Sequence, residues 1–305
     1  MTPASKRYLP PEALARIGRL ELRARTVVDG VLAGMHKSPY KGNSVEFLQH
    51  REYTPGDDLR RVDWKVWGRQ DRLYIKEFED ETSLRLFLLV DGSASMDYRP
   101  PRFDQAPGLT KFDYAATLAA SLGWLGLSQG DAVGCNVFDD RVRTSVPART
   151  SRSHLGSIVG CLEQPRQRQP SDFRSVFRSV GETLPRRGLV VVFSDLFGDR
   201  NELAKGLQLL RQRGHDLAIF HVLDDDELDF PFDGPTRFEG LELPEELTCN
   251  PRALRTGYLE AVEAFLSDVR GRAAAARCDY QLVRTGQPVD AALVNFLARR
   301  SRIRN

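Results

Sequence analysis

Residues 84–96 read LRLFLLVDGSASM, and this stretch decides the fold. Leu84, Leu86, Phe87, Leu88, Leu89 and Val90 make a short, nearly unbroken apolar run. Such a run predicts a strand buried on both faces, as in a parallel sheet. It stops at Asp91, and Ser93 and Ser95 follow at alternate positions. In open α/β sheets, ligands collect beyond the carboxyl ends of the strands. Three oxygen-bearing side chains at that point suit a hard divalent cation. The same three residues also suit the capping of a turn or helix.

A second apolar run, 189–193, also ends on a serine and an aspartate, Ser194 and Asp195. Strand patterns further cover 73–78, 132–138, 141–146, 216–223 and 280–284. Helical spacing marks 11–34, a segment opening at Thr110 or Lys111, and then 151–162, 202–213, 256–277 and 290–300. The clearest amphipathic helix has Phe173, Val176, Phe177, Val180 and Leu184 on one stripe, with Ser171 or Asp172 as its N-cap. Strands alternating with helices predict an α/β fold with a doubly wound, mostly parallel, Rossmann-type sheet. The segment 141–146 follows 132–138 closely enough to pair with it as a hairpin.

In the strand order 3-2-1-4-5-6, strands 1 and 4 are neighbours. With 84–91 as strand 1 and 189–195 as strand 4, Asp91 and Asp195 end adjacent strands. Ser171 precedes the helix that leads into strand 4, so its loop covers the same crevice. The predicted metal set is therefore Asp91, Ser93, Ser95, Ser171 and Asp195, with Mg²⁺ as the expected cation, or Mn²⁺ or Ca²⁺. Neutral hydroxyls as ligands leave positive charge on the ion, which can attract an acidic residue of a partner.

The rest of the chain narrows the function classes. Its 305 residues carry 44 Lys+Arg and 42 Asp+Glu, a net charge of +2, which gives no argument for nucleic acid. No run of about 18 apolar residues predicts a membrane span, and the N-terminal residues lack a signal-peptide core. Cys135, Cys161, Cys249 and Cys278 are scattered, and read as reduced thiols of a cytoplasmic protein. Phosphate-loop, dinucleotide, zinc-protease and serine-hydrolase motifs are absent. The acidic run 224–227 reads as a solvated loop and the proline-rich stretch after Met96 as a surface loop. The segment 230–251 holds two strand-like pieces, TRFEGLE and ELTCNP, that the sequence does not place.

DGSAS, Asp195 within FSDL, and Ser171 where threonine is usual resemble the metal-ion-dependent adhesion site of the von Willebrand factor type A fold. Upstream, FLQHREYTPGDDLRRVDWKVWGR resembles the hallmark of domain-of-unknown-function family 58, on Arg51, Tyr53, Pro55, Gly56, Asp57, Asp58, Arg60, Asp63, Trp64 and Arg69, with Gly68 for the usual alanine. Read without the resemblance, that block is a local ion-pair network or an aromatic-rich recognition surface. The expected division is an N-terminal helix and signature segment over 1–80, packed on a von Willebrand factor A-like domain over 81–305. The resemblance implies a non-enzymatic adaptor that works with an AAA+ ATPase of MoxR type on a client protein, the metal taking a partner's acidic residue. A hydrolase or phosphotransferase using Asp91, and a metal-free scaffold, are the competing readings.

Overall fold

The computed structural model describes residues 19–35, 47–52, 74–78, 84–100, 108–185, 187–242 and 244–303. It divides the chain into two compact units, Met35–Ser83 and the remainder. Within the smaller unit, β1 (Phe47–Glu52) and β2 (Tyr74–Phe78) pair antiparallel, with Arg51 opposite Ile75. Of the signature residues, Tyr53, Pro55, Gly56, Asp57, Asp58, Arg60, Asp63, Trp64, Gly68 and Arg69 lie outside the described residues.

The larger unit is built on a six-stranded sheet. Its strands are β3 (Arg85–Asp91), β4 (Ala132–Phe138), β5 (Val142–Arg149), β6 (Gly188–Ser194), β7 (His215–Leu223) and β10 (Cys278–Arg284). Their spatial order is β5-β4-β3-β6-β7-β10, and every pair is parallel except the β4–β5 hairpin. This is the predicted order, with 132–138 and 141–146 paired as a hairpin. The α/β, doubly wound, mostly parallel class read from the sequence is the one observed.

The two faces of β3 explain why its sequence does not alternate. Phe87 and Leu89 join the core under α4 (Phe173–Thr183) and α5 (Arg200–Gln212), with Phe177, Val180, Leu207 and Leu210. Leu86 and Leu88 face α2 (Lys111–Ser128), where an added Cβ at Gly123 would meet Leu88 at 3.2 Å. Both sides are apolar because helices cover both. The N-terminal helix α1 (Leu20–Met35) buries Ala24, Val27, Val28 and Val31, and Arg25 lies over the Trp124 ring of α2 at 4.8 Å. It therefore groups with the large unit, whereas the division drawn from the sequence at residue 80 placed it with the signature segment.

Further helices of this unit are α3 (Leu155–Leu162), α7 (Pro251–Ala275) and α8 (Val289–Ile303). The acidic run corrects an expectation. Rather than a solvated loop, Asp225–Asp229 forms a short helix, α6, closed by a capping box between Asp224 and Glu227. Asp224 is fully buried and Asp226 nearly so. The unplaced segment forms the antiparallel hairpin β8 (Thr236–Glu239) and β9 (Glu246–Cys249). Among the described residues, no helix is long and apolar enough to cross a membrane.

Candidate functional site

Parallel pairing places the ends of β3 and β6 side by side. Val90 is opposite Phe193, so the next residues outward are Asp91 on one strand and Ser194 on the other. Asp91 and Asp195 are both fully buried, at 0% exposure. Asp91 Oδ1 accepts from the Ser93 amide at 3.0 Å and from Ser171 Oγ at 2.8 Å. Asp91 Oδ2 accepts from Ser194 Oγ at 2.5 Å. Ser93 Oγ and Ser95 Oγ lie 3.1 Å apart.

Local sequence explains each position. Gly92 donates its N–H to Phe138 O at 2.6 Å, and a Cβ there would meet Val137 at 3.0 Å and Arg166 at 3.1 Å. A side chain here would need Val137 and Arg166 to give way by a few tenths of an ångström. After β6, Leu196 takes the left-handed conformation at φ 58°, fully buried, and its N–H donates to Ser194 Oγ at 2.9 Å. That strained residue turns the chain just beyond Asp195. Asp172, not Ser171, accepts from the Ser175 amide as N-cap of α4. Ser171 is thereby left to donate to Asp91.

Asp195 is held differently. Its Oδ2 accepts from Lys111 Nζ at 2.8 Å and its Oδ1 from the Phe197 amide at 3.2 Å. Lys111 Nζ also donates to Glu227 Oε1 at 2.6 Å. Burial alone would lower the Lys111 ammonium's pKa, but Asp195 and Glu227 outweigh it and hold it above the ordinary lysine value. Burial and the neighbouring Asp195 charge push the Asp91 carboxyl up to about 6, against the lowering effect of its Ser194 and Ser93 hydrogen bonds. Burial also raises the Glu227 carboxyl.

These residues fit a divalent cation on two counts. Adjacent oxygens around a six-coordinate Mg²⁺ at about 2.1 Å are about 3 Å apart. The Ser93–Ser95 and Ser171–Asp91 oxygen spacings of 3.1 and 2.8 Å match that edge. The carboxyl groups of Asp91, Asp195 and Glu227 outnumber the one ammonium that contacts them, Lys111, and a dication would offset that acidic excess. Hydroxyl and carboxylate oxygens are the ligands of hard cations.

Comparison with known proteins agrees with the upstream signature. The family model described as "Protein of unknown function DUF58" matches residues 49–265. The chain belongs to the DUF58 family. Within reach of it is an uncharacterized protein of Mycobacterium tuberculosis (strain ATCC 25618 / H37Rv), 29% identical over 297 residues, covering 96% of this chain and 91% of the relative. Protein YeaD of Bacillus subtilis is 47% identical over 45 residues, 15% of this chain and 11% of its own. Among solved structures, BatB from Bacteroides thetaiotaomicron superimposes with TM-score 0.43 at 12% identity, over 72% of this chain and 99% of its own. The SpRpn10 VWA domain superimposes with TM-score 0.39 at 12% identity, over 69% and 93%.

Four residues around this strand edge escaped the sequence reading: Ser194, Lys111, Glu227 and Glu242. Ser194 was visible as the neighbour of Asp195. Lys111 carried a signal too, since a cation in the first turn of a helix opposes the macrodipole and calls for a reason. Glu227 was discounted with the acidic run. Glu242 has no local signal; its carboxylate Oε1 accepts from the Ser95 amide at 3.3 Å, reached only through the β8–β9 hairpin.

Proposed function

We propose that this edge of the sheet is a divalent-cation-dependent docking site for an acidic residue of a partner, and that the chain is a non-enzymatic adaptor. The observation that carries the reading is the buried Asp91–Asp195 pair, bordered by Ser93, Ser95 and Ser171. Asp91, Ser93, Ser95, Ser171 and Asp195 would hold Mg²⁺, or Mn²⁺ or Ca²⁺ in its place. A bound cation supplies a Lewis-acid position for one carboxylate oxygen. The protein's part is to orient the oxygens, through Gly92, Ser194 and the Leu196 turn, and to balance Asp195 with Lys111.

The hydrolase reading has less support. Asp91 is fully buried with both oxygens accepting hydrogen bonds, which suits a ligand better than a nucleophile. A second carboxylate two residues on, as acid-anhydride chemistry wants, is replaced by Ser93. The family resemblance points to an AAA+ ATPase of MoxR type as partner and to remodelling of a client protein.

Pull-down of such an ATPase with the full chain tests the proposal. Capture is expected with Mg²⁺, and its loss with chelator or in Asp91→Ala while the variant keeps its melting profile. Capture indifferent to both treatments, or phosphatase or esterase turnover that Asp91→Ala abolishes, would sink it.

A further inference from the structure

The hairpin that the sequence could not place ends beside the proposed cation position. Its strands pair from Thr236 with Cys249 to Glu239 with Glu246, and Gly240 donates to Glu245 O at 2.8 Å. Its base is anchored: Phe230 stacks on Tyr258 at 4.2 Å and on Phe238 at 5.7 Å, and Phe232 meets both Phe230 and Phe238 edge-on. Tyr258 OH donates to Glu227 O at 2.8 Å, the residue whose carboxylate holds Lys111. From this base the turn extends to the DGSAS loop. There Glu242 Oε1 accepts from the amide of Ser95, whose own Oγ lies 3.1 Å from that of Ser93.

We infer that Glu242 is an internal ligand of the docking site, holding the place of a partner's acid until the partner displaces it. The inference rests on the cation reading above and adds to it a regulation and a partner chemistry. A carboxylate is the group the site is proposed to take, and this one already sits on the loop. Its neighbour Leu241 is 50% exposed, and Phe197, whose amide bonds Asp195, is 38% exposed. The displacing segment would then carry an acidic residue flanked by leucine-like side chains, as GLEL does in this chain. A tethered ligand of about 0.1 mM intrinsic affinity acts at roughly millimolar effective concentration, so it weakens a competing peptide by about tenfold.

The test uses the full chain as wild type, Glu242→Gln and Asp91→Ala, with Mn²⁺ as the metal probe. Binding isotherms are read together with amide exchange over 236–249. Mn²⁺ is expected to slow hairpin exchange in wild type by about tenfold. Glu242→Gln should bind Mn²⁺ yet lose that protection. It should also bind a peptide copying 238–247 about tenfold more tightly than wild type does, and only with Mn²⁺ present. If wild type binds Mn²⁺ but hairpin exchange stays unchanged, or peptide capture is equal in wild type and Glu242→Gln, the internal ligand is refuted and the cation site stands. If wild type and Asp91→Ala are equally indifferent to Mn²⁺, both ideas fall together.

Discussion

Lys111 shows how tightly the site is balanced at the level of single residues. It is fully buried in the first turn of α2, and its ammonium bridges Asp195 and Glu227. Removing one member of a buried ion pair strands the other charges, at a cost of about 3–5 kcal/mol. Lys111→Met is therefore expected to lose that much stability in urea unfolding; a loss below about 1 kcal/mol would show that the pair is not desolvated as described. Ser171 offers a gentler probe. Its hydroxyl is one of the proposed ligands and also donates to Asp91, and losing even the orienting part of such a role typically lowers metal affinity about 10-fold or more. Ser171→Ala should weaken Mn²⁺ binding by about tenfold while Ser171→Thr, which keeps the oxygen, should not. Equal affinities for the two would remove Ser171 from the site. At this scale the sequence was informative where chemistry is written in adjacent letters, as in DGSAS. It was silent where a contact needs the fold, as with Lys111 to Asp195, 84 residues apart.

The elements explain why those residues meet. Helix α4 starts at the Asp172 cap and carries Ser171 just outside its first turn, so the cap and the site are set by one short segment. Its packing against α5 is close: a Cβ on Gly206 would fall 2.4–2.7 Å from atoms of Phe177, itself 1% exposed. Overpacking of that kind costs about 1–3 kcal/mol. Gly206→Ala should lower stability by that amount in denaturant melts; an unchanged midpoint would mean the two helices are less closely apposed. The α4 stripe was legible because its apolar positions keep helical spacing. The 224–227 run misled because charge alone reads as solvated, whereas Asp224 and Glu227 close a capping box and Glu227 also holds Lys111. Charge density says nothing of partners that arrive from distant elements.

Across the whole molecule, the sheet order followed from two apolar runs that each end on an acidic residue, together with the general rule for doubly wound sheets. That rule brings the ends of β3 and β6 together with no contact information at all. What it could not supply was the β8–β9 hairpin, an insertion between α6 and α7 whose turn comes back to the β3 loop. Strands of four residues, TRFE and ELTC, carry too little periodicity to fix where they fold back. The account as a whole depends on one property of the edge they converge on, its affinity for a dication. Calorimetric titration of Mn²⁺ into the full chain and into Asp91→Ala measures it directly. The expected result is saturable binding to wild type that Asp91→Ala weakens by at least about tenfold, with both proteins melting as folded chains. Superimposable isotherms for the two folded proteins would contradict it.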